Sequence, residues 1–339
     1  MNITMKMTDA QDLIHLDKVF DMIFKENRNS LVAYKSKAEL KTEFGNAQAG
    51  LLFIDGKLCG YSSFKIWQSC IEMMSLIVKK EFRNQGLGFQ LRQFVLEKAL
   101  KRFPEKMFLS LPNKNSINIV RKSGFVDLFK LALPLELRES CENCLEENDF
   151  PNCHCQALVF PSENQVYIQC LDYENLEDID SLAKFYCEIW KESPWNEYFW
   201  EIESVKQDIL AYRARENGVW LIAKFNGQIV GFMAYSFVNE ELMKKIAGHD
   251  FLSSEFGNGQ VAYSAELGIM QVKRLRGLGT ALFTASIADM SAEGVSTILG
   301  RTKAPGMERI LQTAGFYQME VSHPNDPGRK YWKKTLSKQ

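Results

Sequence analysis

One six-residue pattern constrains this chain more than any other, because it occurs twice: Arg83-Asn84-Gln85-Gly86-Leu87-Gly88 and Arg274-Leu275-Arg276-Gly277-Leu278-Gly279, the latter followed by Thr280. Each copy follows an apolar, strand-like run (73–78, ending in Val78, and 265–270, containing Ile269) and opens an amphipathic helix over 89–103 or 280–292. In a strand, turn, helix arrangement the first backbone N–H groups of the helix and the positive end of its dipole converge on one point, which suits a phosphate. Glycine keeps side chains out of the way of that approach, and the arginines add charge.

The pattern belongs to a larger repeat. Gly124-Phe125 lies 41 residues after Arg83, and Gly315-Phe316 lies 41 residues after Arg274, so both landmarks recur with an offset of 191. Upstream, 53–61 reads against 224–232, each with a hairpin signal, Asp55-Gly56 and Asn226-Gly227, between apolar runs. Repetition over this length marks a duplicated domain. A chain of 339 residues is long enough for two cores, and we divide it at 1–161 and 162–339. Lys+Arg of 41 against Asp+Glu of 42 leaves a net charge of −1, which disfavours a nucleic-acid partner. No run approaches 18 apolar residues, and 1–13 lacks a basic region followed by an apolar core; the expectation is a cytoplasmic protein with no membrane segment.

With these motifs in place, the sequence resembles the GCN5-related N-acetyltransferase (GNAT) superfamily, present twice and covering nearly all the chain except about 134–165. The resemblance implies two tandem α/β folds (α+β, mixed sheet), each binding the pyrophosphate of acetyl-CoA or another acyl-CoA at its glycine loop. It implies acyl transfer from the thioester to an amine of a small molecule, amino acid or peptide. Such a reaction needs a proton acceptor and stabilisation of an oxyanion. By resemblance, N–H groups at a bulge in the fourth strand serve the carbonyl, and the matching positions are Val78 and Ile269. A strand glutamate often serves as base; Glu72 and Glu266 are the candidates, with a solvated or salt-bridged strand residue as the competing account of each. The family's usual general-acid tyrosine is missing: Val120 and Leu311 stand there. A thiolate leaves adequately without one.

Along the chain, periodicity predicts a strand at 2–7, helices at 9–25 and 36–47, strands at 51–54, 58–67, 70–78 and 107–111, a helix at 115–123, and a late strand over 125–135 pairing with 156–160. Between the last two lie Cys141, Cys144, Cys153 and Cys155. Their spacing suits a structural zinc clip at 141–155 in the late hairpin; disulfides or free thiols are the alternatives. Cys59, Cys70, Cys170 and Cys187 read as small core residues. The second half predicts a strand at 166–171, a helix at 176–191, and a further helix to about 215 opened by Trp195, Tyr198, Phe199 and Trp200. Those rings are either core or the rim of an acceptor groove. An insertion of twenty residues at about 239–260, with a helical start at 240–247, distinguishes the second copy and contains His249. The insertion and the acids Glu188, Glu192, Glu197 and Glu201 favour the second copy for catalysis. A longer-chain acyltransferase, or a catalytically silent CoA-binding sensor or scaffold, are the competing functions. The acceptor and the oligomeric state do not follow from the sequence.

Overall fold

Asp55-Gly56 and Asn226-Gly227 both take positive φ at each residue (48° and 75°; 50° and 76°), so each forms the tight turn whose twist matches that of the strands it joins. These two hairpins fix the register of two sheets with the same strand order. In the computed structural model of the protein, residues 2–27, 35–142, 155–161, 165–192, 195–247, 259–271, 277–323 and 326–336 are described. The chain divides into two compact units, Met1–Gln165 and Val166–Gln339.

In the first unit the described strands are β1 (Ile3–Met7), β2 (Ala49–Ile54), β3 (Lys57–Ile66), β4 (Cys70–Val78), β5 (Met107–Ser110), β6 (Val126–Asp127) and β7 (Leu158–Phe160). They form one sheet in the order β1-β2-β3-β4-β5-β7-β6, in which the β4–β5 pair is parallel and the others antiparallel. Helices α1 (Leu16–Asn27) and α2 (Lys37–Gly45) cover one face, burying Val19, Ile23 and Phe44 against Leu51 and Tyr61. Helix α3 (Leu87–Arg102) covers the other, packing Leu91, Val95 and Ala99 on Leu52, Phe64 and Met73. A capping box starts α2, with Ser36 Oγ accepting from Glu39 N–H and the Glu39 carboxylate accepting from Ser36 N–H. The short α4 (Ile117–Lys122) buries Val120 and leads to Gly124-Phe125.

The late strand is much shorter than the apolar run over 125–135 suggests: β6 ends at Asp127. Leu128, Phe129 and Leu133 are buried through a single 3-10 turn instead, and Pro134 opens α5 (Leu135–Glu142). Proline presets helical φ, and its carbonyl accepts from the N–H groups of Leu137 and Arg138. The Glu136 carboxylate ties α5 to the turn between β3 and β4, accepting from the N–H groups of Gln68 and Ser69. The pairing with 156–160 does form, as β6–β7. Of the four clip cysteines, Cys144 and Cys153 lie outside the described residues; Cys141 is in α5 and Cys155 precedes β7. Among the described residues no group of three or more His, Cys, Asp or Glu side chains could hold a metal ion. Cys59, Cys70 and Cys187 are buried, whereas Cys170 is exposed.

The second unit repeats the plan with β8 (Val166–Cys170), β9 (Val219–Phe225), β10 (Gln228–Val238), β11 (Gln260–Ile269), β12 (Val295–Thr302), β13 (Tyr317–His323) and β14 (Asp326–Thr335), ordered β8-β9-β10-β11-β12-β14-β13. Helices α6 (Leu176–Lys191) and α7 (Ile202–Glu216) cover one face, and α9 (Leu278–Ala292) the other; α8 (Glu240–Ala247) begins the insertion, and α10 (Pro305–Thr313) follows β12. Residues 248–258, including His249, lie outside the described residues. No described helix is long and apolar enough to cross a membrane.

Two irregularities position the site. In each unit the parallel pairing stops early: β4 meets β5 only over Cys70–Glu72, and β11 meets β12 only from Gln260 to Ser264. The strands part beyond those points. In each unit the fourth strand also bulges. Ser62 faces Leu76 but Phe64 faces Met73, and Ala234 faces Glu266 but Tyr235 faces Ser264. The bulge therefore falls at Met74–Ser75 and at Ala265. Val78 and Ile269, the positions matched to it by resemblance, sit instead in regular pairing with Gly60 and Gly231.

Candidate active site

Both glycine loops have the same backbone where they are described. Gly86 (φ 74°, ψ −2°) is the N-cap of α3, and Gly277 (φ 78°, ψ 0°) is the N-cap of α9; neither helix start carries a side-chain cap. A left-handed N-cap of this kind needs glycine. Gly86 and Gly277 are exposed, Leu87 and Leu278 are buried anchors, and Gly88 and Gly279 are half-buried over the fourth strand. A Cβ at Gly277 would meet nothing within 4 Å. The open helix start fits an anion such as a diphosphate. Arg274, Leu275 and Arg276 lie outside the described residues. In the first loop Asn84 has φ 60° and Gln85 is exposed, but Arg83 is already engaged. Its Nε donates to Val78 O at 2.8 Å, and its Nη2 pairs with Glu26 at 2.5 Å.

A cleft of about 820 Å³ in the second unit runs from the Gly277 loop to an aromatic wall. Its floor is β11 from Ser264 to Ile269, the stretch past the end of the β12 pairing. Gly277, Gly279 and Thr280 line one end; Tyr186, Trp190, Trp195, Glu197 and Trp200 line the other. The start of α10, with Pro305 and Met307, flanks it.

Glu266 stands at the bulge, inside this cleft. Tyr186 O–H donates to its Oε1 at 3.2 Å, while Oε2 is buried with no hydrogen-bond partner. Burial pushes the carboxyl up to about 7, with the Tyr186 hydrogen bond pulling the other way and the Glu197 charge adding to the rise. Burial and the Glu266 charge raise Tyr186 as well, so its hydroxyl stays a donor. A carboxyl that titrates near neutrality, on a residue that lines a cleft and with one oxygen unpartnered, is poised to accept a proton.

The first unit has no counterpart. The repeat offset puts Ser75 where Glu266 stands, and the strand registers agree, since Leu76 and Leu267 face Ser62 and Met233. Glu72 lies earlier, within the fully paired stretch, facing Lys65 and Leu109. Its carboxyl is raised by burial and accepts from Trp67 Nε1 at 3.0 Å. Opposite the bulge, Ser63 Oγ accepts from the buried Lys35 Nζ at 2.8 Å; Lys35 pairs with Glu43 at 2.5 Å, and Tyr61 O–H donates to the same carboxylate. The matching places in the second unit are Phe232 and Ala234, within the aromatic cluster. Sequence reading missed Tyr186 and Trp190, which are hidden in the apolar stripe of α6. Of the four acids singled out, Glu197 lines the cleft and Glu188, Glu192 and Glu201 do not.

Comparison with known proteins places the chain. The Acetyltransferase (GNAT) family matches residues 16–125 and 179–316, so the chain belongs to that family, with two tandem domains. Among solved structures it is similar to the N-acetylglutamate synthase of Neisseria gonorrhoeae, solved with coenzyme A and N-acetyl-glutamate (18% identity, 47% of this chain and 35% of that one, TM-score 0.39). It is also similar to aminoglycoside 6'-acetyltransferase type Ii (16% identity, 50% and 96% coverage, TM-score 0.37). A third is the PaiA N-acetyltransferase of Thermoplasma acidophilum, in complex with coenzyme A (14%, 51% and 99%, TM-score 0.38). The chain thus spans about a third of the length of the Neisseria protein.

Proposed function

We propose that the second unit transfers an acyl group, most simply acetyl, from acyl-coenzyme A to an amine, with Glu266 as the base. The observation that carries this is Glu266: a carboxyl with one unpartnered, buried oxygen, in a cleft that ends at an open glycine N-cap. The diphosphate of the acyl donor would meet the N–H groups at the start of α9, and its thioester arm would follow the free edge of β11. The ammonium gives a proton to Glu266, directly or through water; the amine lone pair then forms a bond to the thioester carbon. The C–S bond breaks and the nitrogen gives up its second proton, leaving the amide, and the thiolate takes up that proton, directly or through water. N–H groups of the unpaired β11 stretch are the source of oxyanion stabilisation in this reading.

Ser75 and the Lys35–Glu43–Tyr61 network favour the second unit over the first as the catalytic one. Its uncapped glycine start supports cofactor binding without turnover in the first unit. In the full-length protein, Gly277→Glu puts a carboxylate where phosphate would sit. It should reduce turnover at least about a hundredfold, with circular dichroism unchanged. Turnover that survives Gly277→Glu but not Gly86→Glu would assign the chemistry to the first unit and overturn the proposal. The cysteine clip carries no step of this reaction; elemental analysis of protein prepared without chelator tests it.

A further inference from the structure

Four aromatic side chains, Tyr186, Trp190, Trp195 and Trp200, line the wall of the cleft away from the glycine loop. Trp190, Trp195 and Trp200 are each only half-buried and turn part of their rings to the cleft. The wall is built rather than loose. Trp190 and Trp195 meet edge to face at 5.2 Å, as do Tyr186 and Trp200 at 5.3 Å. Glu197 N–H donates to Trp190 O at 2.8 Å, and Trp195 N–H to Glu192 O at 3.0 Å, which fixes the segment before α7. Trp200 Nε1 donates to Glu197 Oε2 at 2.8 Å and so aims that carboxylate. Tyr198 and Phe199 beside it are 70% and 69% exposed. Held open to water, such apolar surface is a cost; covered by a ligand, it becomes affinity.

We infer that the acceptor is a primary amine carrying a flat aromatic body. The ring lies against Trp190, Trp195 and Trp200, and the ammonium sits between Glu197 and Glu266. This inference rests on the acyltransferase reading of the second unit. Stacked rings contribute about 0.5–1.5 kcal/mol beyond the area they bury, and a nearby ammonium gains from the ring faces. The lining also carries cations: Lys303 and Arg329 share the carboxylate of Asp326, and Arg301, whose charge also acts on Glu266, donates to Ile246 O. A second ammonium on the acceptor would meet these lining cations, so polyamines are disfavoured.

The test uses the full-length protein at saturating acetyl-CoA, following thiol release with phenethylamine, tyramine and tryptamine against ethanolamine, putrescine and glycine. The expected result is a kcat/KM for the aromatic amines at least about tenfold higher, which corresponds to about 1.4 kcal/mol. Trp195→Ala should collapse that ratio to within about threefold, and Trp195→Phe should keep most of it. Preference for an aliphatic amine or for putrescine, or a ratio that Trp195→Ala leaves intact, overturns this inference while acyl transfer stands. Turnover with none of the six overturns this inference; no binding of coenzyme A at the Gly277 loop would overturn the acyltransferase reading as well. The comparison of wild-type rates decides the matter even where a tryptophan variant fails to fold.

Discussion

Glu266 takes its proton affinity from its place on β11: the bulge turns it into the cleft, and burial raises its carboxyl to about 7. Tyr186 opposes that rise through its hydrogen bond. Tyr186→Phe removes the donor that favours the carboxylate, so Glu266 should titrate higher. The rising limb of kcat/KM against pH should move up by about half a unit to one unit, which steady-state rates between pH 5.5 and 9 would detect. The same shift has a stability consequence whose sign is fixed. The folded chain binds a proton up to about pH 7 that the unfolded chain releases near 4.5, so stability falls as pH rises through that window. Glu266→Gln removes this loss. Thermal melts should show the variant gaining about 1–3 kcal/mol at pH 8 relative to its difference from wild type at pH 4.

At the scale of elements, the glycine loops and both hairpins were legible because each depends on backbone conformations open to few residue types. Gly86, Gly277, Asp55-Gly56 and Asn226-Gly227 take the φ values their positions demand. Tertiary context decided the rest. The run 125–135 has a strand's composition, yet Pro134 and the burial of Leu133 and Leu137 turn its end into α5. The rings from Trp195 to Trp200 precede α7 instead of opening it, because Glu197 N–H is committed to Trp190 O. A bulge leaves no mark in composition, so the irregularity expected at Ile269 lies at Ala265, beside the candidate base Glu266. Where β10, β11 and α9 meet, Gly231 leaves no room: a Cβ there would come within 2.8 Å of Ile269 and 3.1 Å of Leu282. Gly231→Val should destabilise the second unit by about 1–3 kcal/mol through overpacking, measured by denaturant unfolding followed by tryptophan fluorescence.

At the scale of the whole chain, the duplication kept one thing and lost another. Both units retain a left-handed glycine N-cap without a side-chain cap. Only the second joins it to an acidic residue at the bulge; the first has Ser75 there and a buried Lys35–Glu43 pair across from it. The repeat itself was plain from the offset of 191, and so was the mismatch of Glu72 with Glu266, but the filling of the first groove emerges only when Lys35 is brought to Ser63. Native mass spectrometry should count two molecules of coenzyme A per chain, and one with Gly277→Glu. A count of one that persists in that variant would place all cofactor binding in the first unit.

Removing the carboxyl of Glu266 while keeping its shape goes directly to the central claim. At saturating acetyl-CoA, Glu266→Gln should lower kcat about 10²–10⁴-fold with coenzyme A affinity unchanged, and should abolish the rise in rate through pH 7. Wild-type turnover with its pH profile intact in that variant would contradict the account.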